Sequence, residues 1–425
     1  MILDRTAAPG FNSVEHINII RAKPLTLPEG VKVYAVNAAE QDIVRVEFLF
    51  NNINWDITRP LQAFASNSML IEGTGALTAS EIASKIDFYG AFLQIDYNFD
   101  YASVTLYTLN KYLKVTLPIV IDVIANAAFP GEELETFIRN QKQKLSVNLE
   151  KNDFLSRREL NKAIFGNTIY GNISTDKEFD SLKREDLISY HQNAYLFSNC
   201  CIIISGKVTD DIIAVISDLL KPFKAKAANS AQNLSEFHQG VGKTHYIERP
   251  DALQSAIRIG RLAVNRTHPD FPALQVLNTV LGGYFGSRLM ANIREDKGYT
   301  YGIGSAVVSL QQAGYFFIST EVGAEVTEAA LGEIEKEIEI LKADLIPEQE
   351  LDLVRNYMMG SLLGGLENAF SHADKFKNIF NLNLGYEYYD YYIKTIKTVS
   401  SEQLLQLAKV YLDFSKMEKV IVGKM

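Results

Sequence analysis

The sequence predicts an α+β protein built as two tandem, homologous α/β domains, and three observations carry that reading. The run Ile204-Ser205-Gly206-Lys207-Val208 returns as Ile421-Val422-Gly423-Lys424-Met425 at the end of the chain. Ile138-Arg139-Asn140 returns as Val354-Arg355-Asn356, and Glu185-Asp186-Leu187 as Glu402-Gln403-Leu404, in the same order and at nearly the same offset. Self-similarity at one long period marks a repeated structural unit. Between the copies, residues 224–243 (KAKAANSAQNLSEFHQGVGK) are small, polar and aperiodic, as linkers are. The expected organisation is an N-terminal domain at 1–223, a linker at 224–243 and a C-terminal domain at 244–425.

Taken in order, residues 31–37 and 44–50 alternate apolar and polar side chains and suit neighbouring, half-buried strands. Residues 61–71 read as a helix followed by the turn Glu72-Gly73-Thr74. Ser80 is a candidate N-cap for the next helix, which Gly90 stops. Residues 92–109 form a hairpin turning at Asn98-Phe99-Asp100. Helices are expected at 113–126, 132–151, 156–165 and 184–195; in the second, Leu134, Phe137, Ile138, Leu145 and Leu149 keep near-helical spacing. Residues 199–208 are a buried strand that closes the first copy.

In the second copy, Leu289, Met290 and Ile293 give a short helix an apolar stripe, and Gly298 is its stop signal. Arg294 falls on the last turn of that helix. Tyr301 lies where the chain re-enters an extended run at 303–310. The run MGSLLGG at 359–365 lacks the lysine and spacing of a phosphate loop, so a helix-packing role is expected. The acidic stripe at 332–342 reads as a solvated helix face. The tyrosine-rich stretch 386–392 reads as a packed edge, with peptide contact as the alternative.

Composition excludes several classes. Of the 425 residues, 47% are hydrophobic and 22% charged, as in ordinary globular proteins. A net charge of −9 without a long basic run argues against a nucleic-acid partner. No apolar run is long enough to span a bilayer, and the first residues lack the apolar core of a signal peptide. A cytoplasmic location is expected, with the periplasm as the alternative. Cys200 and Cys201 are adjacent, so on a strand they point to opposite faces and serve as small hydrophobes rather than a disulfide.

With the tandem halves, the segment MLIEGT (69–74), NKAIFGNTIYG (161–171) and SRLMANIREDKGYTYG (287–302), the chain resembles the inverzincin zinc peptidases related to pitrilysin and mitochondrial processing peptidase. That resemblance implies two domains, each a mostly antiparallel sheet flanked by helices, together forming half of a clam-shell chamber. Active members carry His-x-x-Glu-His in the first half and a further Glu downstream. Two imidazoles on one helical face and a carboxylate hold zinc, and the Glu inside the motif takes a proton from its water.

This sequence departs at each place. Aligned on MLIEGT, Phe64 and Ser68 stand where the histidines would be, Asn67 replaces the general base, and Lys144 takes the third ligand position. None of the six histidines forms an i, i+3 or i, i+4 pair elsewhere. Gln94-Ile95 replaces the Asn-Ala with which active relatives clamp peptide. The Arg and Tyr of the family's second-half motif are retained here as Arg294 and Tyr301, beside Glu295.

The resemblance thus implies a non-catalytic subunit of a heterodimeric zinc metalloendopeptidase, inactive alone and without a catalytic metal of its own. Arg294 and Tyr301 would act in trans on peptide substrate. Zinc is expected in a homologous partner with an intact His-x-x-Glu-His motif, and the isolated chain could homodimerise. For Arg294 the alternative is a salt bridge near a helix C-terminus; for Tyr301 it is packing. Lys144 is expected to be a solvated helix residue. The competing reading of the whole protein is a structural, scaffolding or peptide-binding protein of the same fold with no proteolytic role.

Overall fold

A computed structural model of the chain describes residues 14–26, 31–52, 55–222 and 236–424. The first half runs β1 (Lys23–Thr26), β2 (Lys32–Asn37), β3 (Ile43–Asn51), α1 (Gln62–Ser68), α2 (Ala79–Phe88), β4 (Phe92–Tyr97) and β5 (Tyr101–Leu109). It continues through α3 (Leu113–Asn126), α4 (Gly131–Leu149), α5 (Asn152–Phe165), α6 (Asp176–Asp180), α7 (Arg184–Ala194), β6 (Cys200–Gly206) and α8 (Asp210–Leu220). The second half comprises β7 (Thr244–Glu248), β8 (Gln254–Ala263), α9 (Phe271–Asn278), β9 (Ile303–Ser309) and β10 (Gly314–Gly323). It ends with α10 (Thr327–Ala343), α11 (Glu348–Gly364), α12 (Ala369–Phe380), α13 (Glu387–Thr398), α14 (Ser401–Tyr411) and β11 (Glu418–Gly423).

The strands make two sheets of matching design. One has the order β1-β2-β6-β3-β5-β4 and the other β7-β11-β8-β10-β9. In each, one pair is parallel (β2 with β6, β7 with β11) and the strands beyond it are antiparallel. The second sheet is therefore the first without β1. The repeated Ile-x-Gly-Lys segments are the ends of β6 and β11, and both strands lie inside their sheets. This corrects one expectation. Strands 31–37 and 44–50 are not neighbours, because β6 lies between β2 and β3. β6 has every residue buried, and such continuously apolar strands belong at sheet centres.

Nor is β3 half-buried: all but its two terminal residues are buried. The physical reason is an exchange of helices between the halves. On α12, from the second half, Ala373, Phe376 and Ile379 pack on Val36, Leu49, Cys201 and Ile203 of the first sheet. On α5, from the first half, Leu160, Ile164 and Phe165 pack with Leu262, Val420 and Val422 of the second. Both helices open on Asn-x-Phe (Asn152 and Asn368) and occupy the same place in their repeats. Withdrawing a side chain such as Phe376 or Ile379 from water contributes roughly 1.5–3 kcal/mol. Cys200 faces the main core of the first sheet and Cys201 faces α12, as adjacent strand residues must.

Charged contacts fix each exchanged helix. Arg45 and Glu47 on β3 are both buried. Lys377 of α12 donates to Glu47 at 2.7 Å, and Arg45 pairs with Asp374 at 3.0 Å while donating to the Phe370 carbonyl at 3.1 Å. At the other seam, Arg258 of β8 reaches Asp153 of α5 at 2.6 Å. Burial alone would lower the Lys377 ammonium; Glu47 outweighs that and raises it.

Local signals differ from expectation in three places. Thr78, not Ser80, caps α2: its hydroxyl accepts from the Glu81 amide, and Glu81 accepts from the Thr78 amide. Only Thr78 has a Glu three residues on, as this reciprocal box requires. Gly360 and Gly364 take no part in helix packing, since an added Cβ would meet nothing within 4 Å at either. The acidic stripe on α10 is only partly solvated, because Glu333 and Glu337 accept from Asn292. Tyr388 and Tyr389 are buried, so the tyrosine-rich stretch is a packed edge. Of the expected linker, 224–235 lies outside the described residues, and 236–243 has no regular element before β7. No helix among the described residues is long and apolar enough to cross a membrane.

Removing Lys377 leaves the Glu47 carboxylate buried without its nearest counter-charge. Lys377→Met is expected to destabilise the fold by roughly 3–5 kcal/mol, and Glu47→Gln on that background to restore most of it, both read from urea unfolding midpoints. The ammonium is raised above its unfolded value. Its contribution is therefore complete below the usual lysine range and is lost as pH climbs through the raised value.

Candidate functional site

Arg294 lies in a stretch of π-helix, Met290–Asp296, that the surrounding structure pins on every side but one. Leu289 and Ile293 are fully buried in the second core. Arg288 forks onto Glu350 of α11 with two contacts of 2.8 Å, which hold its guanidinium above the ordinary range. The Asn292 amide reaches Glu333 at 2.9 Å and Glu337 at 2.7 Å on α10. The Lys297 amide donates to Asn292, and Gly298, at φ 67°, ends the segment where the sequence places the stop. Wide turns of this kind are rare and recur at functional positions.

Arg294 itself is half-buried and has no ion-pair partner among the described residues. Its guanidinium lies 4.5 Å from the centroid of the Phe285 ring, which is 62% exposed. The salt bridge named as its alternative is absent from the described residues. Tyr301 is 92% exposed, so packing does not explain it either. The backbone beneath it is clamped: the Thr300 hydroxyl donates to the Glu321 carbonyl at 2.6 Å and accepts from the Gly302 amide at 3.1 Å. A phenol is thus displayed from a fixed turn immediately before β9, the edge strand of its sheet.

In the first half the degenerate positions gather where α1 meets α4. The Phe64 ring lies 5.9 Å from Phe137 of α4 and 5.7 Å from Tyr97 of β4. Phe64 and Lys144 line one cavity of about 370 Å³, with Trp55, Tyr97, Phe99, Phe154, Phe179 and Arg158 also in its wall. Asn67 is 1% exposed, and its amide nitrogen has no hydrogen-bond partner among the described residues. Ser68 is half-buried. Gln94 sits on β4, the edge of the first sheet, and donates to Asp96 at 3.1 Å.

This donor set does not fit zinc. An aromatic ring, an amide, one hydroxyl and an ammonium supply neither imidazole nor carboxylate, and Lys144 repels a cation. Among the described residues no cluster of three His, Cys, Asp or Glu side chains could hold a metal ion. Nearby, Glu72 has its carboxyl pushed up, first by burial and then by Glu133.

The two sets of candidate residues stay apart: the cavity is lined only by residues between 55 and 179, and neither Arg294 nor Tyr301 reaches it. Sequence reasoning missed Trp55, Arg158 and Phe285. Arg158 comes from α5, and no periodic signal marks it because its cavity is assembled from four separate stretches of chain. Phe285 was legible as an aromatic next to the helix start, yet only its ring stacking links it to Arg294.

Comparison with known proteins agrees with this picture. Residues 181–358 match the family model described as the peptidase M16 inactive domain. The chain is 27% identical over 309 residues to the "Uncharacterized zinc protease YmxG" of Bacillus subtilis, covering 71% of this chain and 74% of that relative. It is 22% identical over 365 residues to the "Non-peptidase homolog YmxG" of Helicobacter pylori, covering 84% and 82%. Among solved structures, a peptidase M16 inactive domain from Pseudomonas fluorescens superposes with a TM-score of 0.84 at 23% identity over 95% of this chain and 98% of the other. A Helicobacter pylori protease superposes at 0.87 and 16% identity over 96% and 100%.

If the four degenerate positions are rightly assigned, restoring them restores a metal site. Phe64→His, Asn67→Glu, Ser68→His and Lys144→Glu together are expected to retain about one zinc per chain after desalting, measured by elemental analysis, while the native chain retains well below one. A quadruple variant that holds no more zinc than the native chain would show the assignment to be wrong.

Proposed function

We propose that this chain, whose residues 181–358 match the peptidase M16 inactive domain, is the non-catalytic subunit of a two-chain metallopeptidase. The single observation that carries the reading is the availability of Arg294 and Tyr301. Neither enters an ion pair among the described residues: the Arg294 guanidinium stacks only on the exposed Phe285 ring, and Tyr301 stands in solvent beside a clamped backbone turn. In the same molecule the metal positions have become a ring, an amide, a hydroxyl and an ammonium. The name of the Helicobacter pylori relative, a non-peptidase homologue, supports the same reading.

In this proposal a homologous partner with an intact His-x-x-Glu-His motif brings zinc and the general base. The present chain closes the chamber around a short, extended peptide in the cytoplasm. The peptide lies along a sheet edge, where unpaired backbone groups accept an added strand. Tyr301 precedes such an edge in β9. The Arg294 guanidinium and the Tyr301 hydroxyl donate to the substrate carbonyl beside the scissile bond and favour the oxyanion as it develops. A donor of this kind is worth about 2.7–4 kcal/mol in the transition state. Phe285 holds the guanidinium by its face, which leaves the N–H groups free to point at substrate.

The alternative, a scaffolding protein of the same fold, predicts no role for either side chain. A pull-down with this chain should first recover a partner carrying the intact motif. Each chain is then assayed alone and mixed for peptide hydrolysis. Arg294→Ala and Tyr301→Phe are expected to leave assembly unchanged and to lower kcat of the mixed complex roughly 10²-fold each. Activity equal to that of the native mixture decides for the scaffold.

A further inference from the structure

The cavity between α1, α4 and α5 presents a chemistry that the metal chemistry of the family does not explain. Its volume of about 370 Å³ is within the range of small-molecule sites. Rings dominate the wall, yet two cations, Lys144 and Arg158, share it with the amides of Asn148 and Asn172. Neither cation has an ion-pair partner among the described residues. The Arg158 Nε is buried and has no hydrogen-bond acceptor there.

One nearby carboxylate, Glu178, is already committed. Glu178 accepts from the Thr175 amide at 2.8 Å and from the Thr175 hydroxyl, closing a capping box at the start of α6. Burial lowers the Arg158 guanidinium, and Glu159 and Glu178 offset only part of that loss. A buried guanidinium edge without an acceptor is costly in an isolated chain and is relieved by an anion that brings its own oxygens. A hydrophilic anion would leave the rings uncovered. A planar carboxylate matches the guanidinium fork, and an apolar body fills the rest.

We propose that this cavity binds an apolar carboxylate, a free acid or the C-terminus of a peptide ending in a large apolar residue, with the acid on Arg158 and Lys144 and the body against Trp55, Phe64 and Phe179. In this reading the position vacated by the metal has become a ligand site in its own right. The proposal is independent of Arg294, Tyr301 and any partner chain, so either can fail without the other.

Trp55 is the only tryptophan in the chain, and it is in the cavity wall, so its fluorescence reports occupancy directly. The full chain is titrated with N-acetylphenylalanine, N-acetylphenylalanine amide, decanoate and inorganic phosphate. A saturable change in Trp55 emission is expected with at least one of the two apolar acids. Where N-acetylphenylalanine binds, its amide is expected to bind about tenfold more weakly or worse. Binding of decanoate alone assigns the site to free acids, and binding of N-acetylphenylalanine alone to peptide ends. Arg158→Met and the exposed Lys144→Met should each weaken the acid while leaving the unliganded emission spectrum and circular dichroism unchanged. No saturable change with either acid overturns the proposal. So does an amide that binds as tightly as its acid, phosphate that binds as tightly as the apolar acids, or acid affinity unaltered in both folded variants.

Discussion

The covering of each sheet's outer face by a helix from the other half is the constraint on which the remaining architecture rests. Without α12, the first sheet would expose Val36, Leu49, Cys201 and Ile203; without α5, the second would expose Leu262, Val420 and Val422. Neither half buries its own sheet on both faces. The ion pairs at the two seams, Lys377 with Glu47 and Arg258 with Asp153, add direction to what apolar contact leaves undirected. A buried carboxylate such as Glu47 tolerates few positions of its partner, so it fixes the register of α12 on the sheet as well as its presence.

The same exchange sets the shape of the cavity. One side of α5 carries Leu160 and Ile164 to the second sheet, and another carries Phe154 and Arg158 into the cavity wall. Any displacement of the seam would therefore move the Arg158 guanidinium relative to Lys144 on α4. Local packing along α1 keeps the floor in place, with Phe64 held between Tyr97 and Phe137. The cavity is organised by aromatic contact and by the helix that bridges the halves.

The two halves have diverged in opposite directions from one design. In the first, Phe64 and Lys144 line a cavity with other rings and Arg158. In the second, Arg288 and Asn292 are tied to Glu350, Glu333 and Glu337, so the neighbouring turns are fixed while the Arg294 guanidinium stacks on Phe285 and makes no ion pair among the described residues. Pre-organised recognition needs side chains held in place with their donors still open, and stacking on Phe285 does this for Arg294. Tyr301 repeats it, with Thr300 fastening the turn and the phenol left in solvent.

By itself the sequence determined the internal repeat and the residue types at Phe64, Asn67, Ser68, Lys144, Arg294 and Tyr301. These are properties of residue identity and spacing, and they reside in single stretches such as FASNS and NIREDKGYTYG. It also placed six of the eight helices of the first half and the hairpin of β4 and β5, because helical periodicity and turn residues are local. Tertiary structure alone decided that β6 separates β2 from β3, that β3 is buried on both faces, and that α5 and α12 change sides. Each depends on contacts between residues that the chain order separates widely, and alternation within a strand cannot report what a distant helix will cover. The cavity belongs with these: Trp55, Phe64, Lys144, Arg158 and Phe179 have no common motif, and only the fold makes them neighbours.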